Sequence, residues 1–290
     1  MRAEARDGRG APNAASPYLP ADPGALRTTR VACTPADPMD LKGRVALVTG
    51  GGRGIGEAIA RRLAAEGLKV AILGRDREAL SRVAFALNAR SFTVDLADRA
   101  ALEAAVIEVQ GALGPIDVLV NNAGIADSAS LERTDDATWD RAFAINVTAP
   151  FALCRALIPT MAKRGWGRVV NVASNAGLRG YAYTSAYCAS KHAVVGLTRA
   201  LAVEVARTGV TVNAVCPGFV DTDMSARAAQ NIARATKRDA DAARAALEAM
   251  SPQRRLMTAD EVAHAVWSLI PHDARGIHGQ CIALDGGQTA

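Results

Sequence analysis

Residues 44–60 read RVALVTGGGRGIGEAIA, and two changes of pattern inside that stretch decide the fold. Val45 to Val48 are apolar and rich in β-branched side chains, as in a strand buried on both faces. A run of glycines follows. Ile55, Ala58 and Ile59 then fall on one helical face, and EAIARRLAAEG carries that helix to a glycine stop at Gly67. A strand, a glycine turn and a helix make up half of a βαβ unit.

The alternation repeats along the chain. KVAILG, SFTVDL, IDVLVNNAG, GRVVNVAS, VTVNAVCPG and GQCIALDGG read as strands. DREALSRVAFAL, RAALEAAVIEVQGAL, one long segment near 138–164, the segment from Ser185 to about Arg207, and ADEVAHAVWSLI read as helices. Strands apolar at nearly every position point to a parallel sheet with helices on both faces. The fold class is therefore α/β, a single doubly wound domain of about seven parallel strands over residues 39–290. Residues 1–38 hold six of the twelve prolines and no apolar period, and are predicted to be a disordered extension.

Composition narrows the function classes. The chain has 290 residues, 50% of them hydrophobic, and no run of about 18 uncharged apolar residues, so no membrane partner is expected. Cys33, Cys154, Cys188, Cys216 and Cys281 form no CxxC pair and read as reduced thiols of a cytoplasmic protein. Cys188 and Cys216 read as buried packing residues. The four histidines show no metal-binding spacing, so no metal is expected. A net charge of +5 with 4% aromatics gives no footprint for nucleic acid.

In an open parallel sheet the chemistry gathers at the carboxyl ends of the strands. Asp95, Asn121 to Gly124, Ser174, Pro217 and Gly218 all fall at such ends. Gly50, Gly54 and Gly56 sit between a strand and a helix, where free N–H groups and the helix dipole favour a pyrophosphate; this marks a Rossmann-type dinucleotide site. In SAYCASKHAVVG, Tyr187 and Lys191 lie four residues apart on one helical face. A lysine there is expected to pull the phenol pKa down and make it a usable acid near neutral pH.

Taken in order, TGGGRGIG, NNAG, Ser174, YCASK and VNAVCPGFVDTDM resemble the short-chain dehydrogenase/reductase family, over about residues 40–290. The separations of Asn146, Ser174 and Tyr187 fit it as well. The resemblance implies that Tyr187 donates a proton to a substrate carbonyl oxygen and that Ser174 holds that oxygen. It implies that Lys191 tunes Tyr187 and binds the nicotinamide ribose, and that Asn146 holds a water relaying protons to Lys191. The cofactor would meet Gly50, Arg53, Gly54, Ile55, Gly56, Arg75, Asp95, Leu96, Asn122, Ala123, Gly124, Pro217, Gly218, Val220 and Thr222, besides Tyr187 and Lys191. Asn121 would help line the adenine-side ribose and steady the sheet. Asn175, Leu178 and Tyr183 join Ser174 and Tyr187 as candidate substrate contacts by position. Homo-oligomers, dimers or tetramers, are expected from the same resemblance.

The tip of the second strand is Gly74 followed by Arg75, and Arg53 stands in the glycine loop. Two guanidiniums with no carboxylate at the tip suit the 2′-phosphate of NADPH better than NAD. Asp76 reads instead as the cap of the next helix, and Thr258 to Glu261 as a capping box. The motif run around VNAVCPG is similar to 3-oxoacyl-thioester and polyketide ketoreductases. A helical, Ala-rich lid is expected at about 224–256, and its basic residues (Arg227, Arg234, Lys237, Arg238, Arg244, Arg254 and Arg255) suit either solvent or the phosphates of a coenzyme A or acyl-carrier substrate. Three functions stay open: a ketoreductase, an alcohol dehydrogenase working oxidatively on a hydroxyacyl thioester, diol, sugar or steroid, and a cofactor-binding scaffold without chemistry.

Overall fold

The structure, a computed structural model, describes residues 41–236 and 239–290. The extension expected at 1–38, Lys237, Arg238 and the side chain of Arg234 lie outside what is described. Seven strands, β1 (Val45–Thr49), β2 (Lys69–Gly74), β3 (Arg90–Thr93), β4 (Ile116–Asn121), β5 (Gly167–Val172), β6 (Val210–Pro217) and β7 (Cys281–Leu284), form one sheet in the order β3-β2-β1-β4-β5-β6-β7. Every neighbouring pair is parallel. The helices among the described residues are α1 (Gly54–Ala65), α2 (Arg77–Leu87), α3 (Arg99–Leu113), α4 (Asp136–Phe143), α5 (Ala149–Arg164), α6 (Ser185–Val205), α7 (Asp223–Thr236), α8 (Ala240–Glu248) and α9 (Ala259–Trp267).

Strand periodicity divides the core in two. Ala46 and Val48 of β1 face Ile59 and Leu63 of α1 and Val262 and Val266 of α9. Val45 and Leu47 face the other way, toward Leu102 and Val106 of α3 and Leu153 and Leu157 of α5. Successive strand residues point to opposite faces, so a strand covered on both sides has to be apolar throughout. β1, β5 and β6 are buried at every position. The β3 segment is shorter than SFTVDL implies and mostly exposed, because it is an edge strand pairing only with β2.

The chain runs from β1 outward to β2 and β3, then crosses to β4 and continues the other way. Loops leaving β1 and β4 therefore part, and a crevice opens between their carboxyl ends.

The long helix expected near 138–164 is interrupted. Between α4 and α5, Ala144–Thr148 form a π turn in which the Ala149 N–H donates to the Ala144 carbonyl. Pro150 has no N–H to offer the Asn146 carbonyl four residues back, so the ladder has to slip there. The whole run Asp136–Arg164 is apolar enough by composition to cross a bilayer, with a mean hydropathy of 1.4 over its best window. Its buried half packs into the sheet-facing core instead, which accounts for that apolarity.

One charge lies inside the fold where sequence pattern gave no warning. Arg168 of β5 is buried and donates to the carbonyls of Ile270 (3.0 Å), Gly167 (2.8 Å) and Gly209 (3.3 Å). Its guanidinium stacks on Trp166 at 4.5 Å, with Arg44 over the same ring at 4.0 Å. Burial, helped by the neighbouring Arg44 charge, lowers its pKa to about 10. It ties three chain segments together at the end of the sheet opposite the crevice.

Candidate active site

The first wall of the crevice is the glycine loop. Gly50 and Gly54 take positive φ (68° and 54°), which side chains with a Cβ rarely adopt. A Cβ on Gly56 would lie 2.5 Å from Asn122 Nδ2 and 2.7 Å from the Gly50 carbonyl carbon, so only glycine fits there. The loop is fastened to β4: Asn122 Nδ2 donates to the Thr49 carbonyl (2.8 Å), and Thr49 Oγ1 accepts from the N–H groups of Asn122 and Ala123 (3.0 Å each). Thr49, the first residue of TGGGRGIG, received no role from the motif and is a fastening residue.

The N-cap of α1, Arg53, makes no side-chain cap bond, whereas Asp76, Asp98 and Asp135 cap α2, α3 and α4. The first N–H groups of α1 therefore have no side-chain acceptor and face a cradle that a Cβ would fill. The residues present fit a dinucleotide pyrophosphate. Arg53 and Arg75 are exposed, and no carboxylate bonds either among the described residues. Asp76 is engaged as expected, Oδ1 accepting from Ala79 N (3.0 Å). Arg82, a cation the sequence reading passed over, donates to the Gly52 carbonyl (3.2 Å) and pairs with Glu57.

Across the crevice, Thr222 Cγ2 would lie 3.3 Å from a Cβ on Gly54, so the segment after β6 meets the glycine loop. Gly218 N donates to Leu284 O (3.0 Å), and Val220 is buried beside Met257. Ile55 packs on the α1 side of the core, and Leu96 is buried. Asp95 is exposed and accepts from Ala97 N (3.0 Å), which is loop capping whatever else it meets. Asn121 does not reach the crevice. It is buried in the sheet, its Nδ2 donating to Asn171 Oδ1 (2.8 Å), while Asn171 Nδ2 donates to Thr198 Oγ1 on α6 (2.9 Å). The alternation of β4 points it to the helix face, and only Asn122 to Gly124 remain for a ligand.

The second wall brings together the residues expected to act. Ser174 follows β5 and caps a short 3-10 turn, Asn175–Gly177, accepting from Ala176 N (3.1 Å). That turn is pressed onto α6: a Cβ on Gly177 would lie 2.7 Å from the Lys191 carbonyl. Asn146 is held by both ends of its amide, Oδ1 accepting from Ile125 N (2.9 Å) and Nδ2 donating to Ile125 O (3.0 Å) and Ser190 Oγ (2.9 Å). Lys191 is 4% exposed. Its Nζ donates to Val172 O (2.9 Å), sits 5.8 Å from the Tyr187 ring centre, and would be 3.4 Å from a Cβ on Gly124.

The electrostatics reverse one expectation. Lys191 was expected to lower the Tyr187 pKa, but burial pushes the phenol up, with the Ser174 hydroxyl pulling partly back. Burial also lowers Lys191 itself to about 8, against the Cys216 thiol acting the other way. Removal from water disfavours whichever form is charged, so the amine and the phenol both move toward neutrality.

Among the candidate substrate contacts, Asn175 is buried beside Ser174, which donates to its Oδ1 (3.3 Å). Tyr183 lies on the rim, 69% exposed, its carbonyl accepting from Ala129 N (2.9 Å). Leu178 packs against Ala173, Val194, Val195, Ala214 and Cys216, so it belongs to the core under α6. The segment expected to form a lid is helical among its described residues, with α7 and α8 sharing a small core of Ala229, Ala243, Leu247 and Leu256. Its cations are partly used up: Arg244 makes a two-pronged pair with Asp221 (3.1 and 2.9 Å) and bonds Glu248, and Arg255 pairs with Glu261. Arg227 and Arg254 remain exposed.

The buried lysine sets a pH dependence. Its native pKa is about 8 against an ordinary 10.5, so between those values the unfolded chain holds a proton that the native chain has released. Stability contributed here therefore rises with pH across that window, and below it the burial penalty is constant. In cofactor-free protein, urea unfolding should show wild type gaining on Lys191→Met by up to about 3 kcal/mol as pH climbs through the window. A difference that stays flat with pH would mean the ammonium is not desolvated.

Comparison with known proteins agrees with this fold. The family model described as short chain dehydrogenase matches residues 44–233. The chain is 38% identical to the granaticin polyketide synthase putative ketoacyl reductase 1 of Streptomyces violaceoruber, over 90% of this chain and 98% of that one. It is 39% identical to the 2-(S)-hydroxypropyl-CoM dehydrogenase 3 of Xanthobacter autotrophicus, over 86% and 98%. A crystal structure of a variant actinorhodin polyketide ketoreductase with NADPH superposes with a TM-score of 0.82 at 38% identity, covering 85% of this chain and 97% of that one. The chain belongs to the short-chain dehydrogenase/reductase family and is an NAD(P)-dependent oxidoreductase of that family.

Proposed function

We propose that this enzyme is an NADPH-dependent ketoreductase, converting a 3-oxoacyl thioester or a similar ketone to a secondary alcohol. The observation that carries the proposal is one cleft in which Ser174, Tyr187 and the buried Lys191 stand beside the glycine loop. NADPH, when bound, supplies the hydride that reaches the carbonyl carbon. Tyr187 gives its phenolic proton to the carbonyl oxygen, and Ser174 Oγ donates a hydrogen bond to that oxygen as charge gathers on it. Lys191, beside Gly124, holds the nicotinamide ribose hydroxyls. Both ends of the Asn146 amide are committed, so a relayed water sits on its main-chain carbonyl, the one Pro150 leaves without its helical donor. That water returns a proton to Tyr187 by way of Lys191.

A thioester substrate is supported by relatives named as a ketoacyl reductase and a polyketide ketoreductase. Arg244 and Arg255 do not serve it, being held by Asp221 and Glu261. The oxidative reading is favoured by the relative named a dehydrogenase. Reduction fits the electrostatics better, since burial keeps the phenol protonated and a donor must start with its proton. A scaffold without chemistry leaves the desolvation of Lys191 without a purpose. A cytoplasmic location goes with this reading, the described cysteines all being free thiols.

Tyr187→Phe keeps the ring and removes the proton, so NADPH should still bind. Turnover of acetoacetyl-CoA should fall by roughly 10²–10⁴-fold. A variant retaining most of the wild-type rate would end the assignment.

The preference for NADPH rests on Arg53 and Arg75, which lack carboxylate partners among the described residues. Replacing both with alanine should weaken NADPH by roughly tenfold or more and NADH far less. A wild-type enzyme with higher kcat/KM for NADH would overturn this.

Assembly into dimers or tetramers belongs to the same proposal. Phe151 on α5 and Val203 on α6 are 43% and 81% exposed, apolar surface for a second copy to cover. Light scattering at micromolar concentration should report an oligomer, and a monomeric mass would refute it.

A further inference from the structure

The turn that follows β7 reaches the site from outside every motif named above. Asp285 is buried, and its Oδ1 accepts from the N–H groups of Gly287 and Gln288 (3.1 Å each). Oδ2 accepts from Thr289 Oγ1 (2.6 Å), and the Asp285 carbonyl accepts from Ser251 Oγ (3.4 Å). Gly286 takes φ 67°, and Gly218 at the β6 tip lies so close that its Cβ would meet Asp285 Cα at 3.0 Å. A turn held at this many points presents its outward side chain in a fixed place.

That side chain is Gln288. Its Oε1 accepts from Asn175 Nδ2 (2.8 Å), and its main-chain carbonyl accepts from Arg179 Nη1 (2.9 Å). The other end of the Asn175 amide accepts from Ser174 Oγ. An amide has one acceptor end and one donor end. With Gln288 taking the donor end, the acceptor end is left facing Ser174.

We infer that Gln288, acting through Asn175, fixes the position of Ser174 Oγ, whose single proton rests on Asn175 Oδ1 until a substrate oxygen takes it. This rests on the ketoreductase reading of the same cleft. Gln288 touches no reacting atom; it is a positioning residue. Ser174 is free to turn about its side-chain bond, and Asn175 restrains that turn only if its own amide is held. The Ser174 hydroxyl also pulls the Tyr187 pKa down, so a loosened Ser174 should let the phenol rise further.

The test uses the full chain, NADPH and acetoacetyl-CoA. Gln288→Leu removes the acceptor, while Gln288→Glu keeps an oxygen for Asn175. Loss of one such restraint should lower kcat by roughly three- to tenfold in the leucine variant, with NADPH affinity unchanged. The limb of its pH–rate profile that reports Tyr187 should move to higher pH, and the glutamate variant should regain most of the rate. Asn175→Ala combined with Gln288→Leu should cost no more than Asn175→Ala alone, as expected of residues acting in series. A leucine variant with the wild-type kcat and pH profile would overturn the inference, as would a loss that glutamate does not repair or that adds fully to Asn175→Ala. Tyr187→Phe assayed alongside separates the cases: if it too keeps its rate, the ketoreductase reading falls; if it is inactive, only the positioning role does.

Discussion

A parallel sheet covered on both faces has room for polar chemistry only at its ends. In β1, β5 and β6 every position is buried, so no side chain within those strands can meet a solvent-borne ligand. Parallel direction then brings all the carboxyl ends to one edge, and the reversal of order between β1 and β4 opens that edge into a crevice. The glycine loop, the Asn122–Gly124 turn, Ser174 and the Pro217–Thr222 segment meet there because the chain has nowhere else to turn.

Several polar side chains that lie inside are paired with one another. Asn121, Asn171 and Thr198 link β4, β5 and α6, and Asn146 joins the loop after β4 to Ser190 on the same helix. Such chains cost little when each donor has an acceptor, and they fix the distance from sheet to helix. Lys191 differs. Among the described residues its bonded acceptor is the Val172 carbonyl, no carboxylate is paired with it, and burial lowers its hold on its proton. The same burial raises Tyr187. Charge-pair reasoning alone foresees a phenol made more acidic, whereas desolvation governs here because Lys191 is buried and Tyr187 is partly so.

Guanidinium groups sort themselves by whether the chain has already supplied a partner. Arg244, Arg255 and Arg82 are each held by a carboxylate of a neighbouring element and so serve as structure. Arg168 is held by carbonyls and an aromatic face. Arg53 and Arg75 have neither among the described residues. A cation without an internal acceptor at the mouth of an anion-binding loop is available to a ligand, and counting basic residues along the sequence cannot make that distinction.

Local pattern was enough for the strands, most of the helices, the glycine turn and the pairing of Tyr187 with Lys191, and the family resemblance added Ser174 to them. Strand periodicity, helical spacing and glycine positions act over a few residues, and the motif order carries the rest. The caps at Asp76 and Thr258 were legible for the same reason, since a cap bonds three residues ahead. What depended on partners far along the chain was not legible. The hold on the Asn146 amide needed Ile125 and Ser190, and the inward turn of Asn121 needed Asn171. The commitment of Arg244 needed Asp221. The contact of Gln288 with Asn175 spans more than a hundred residues. Proton affinities belong to this second group, because desolvation is set by every atom that packs around a side chain, and only the folded chain decides which atoms those are.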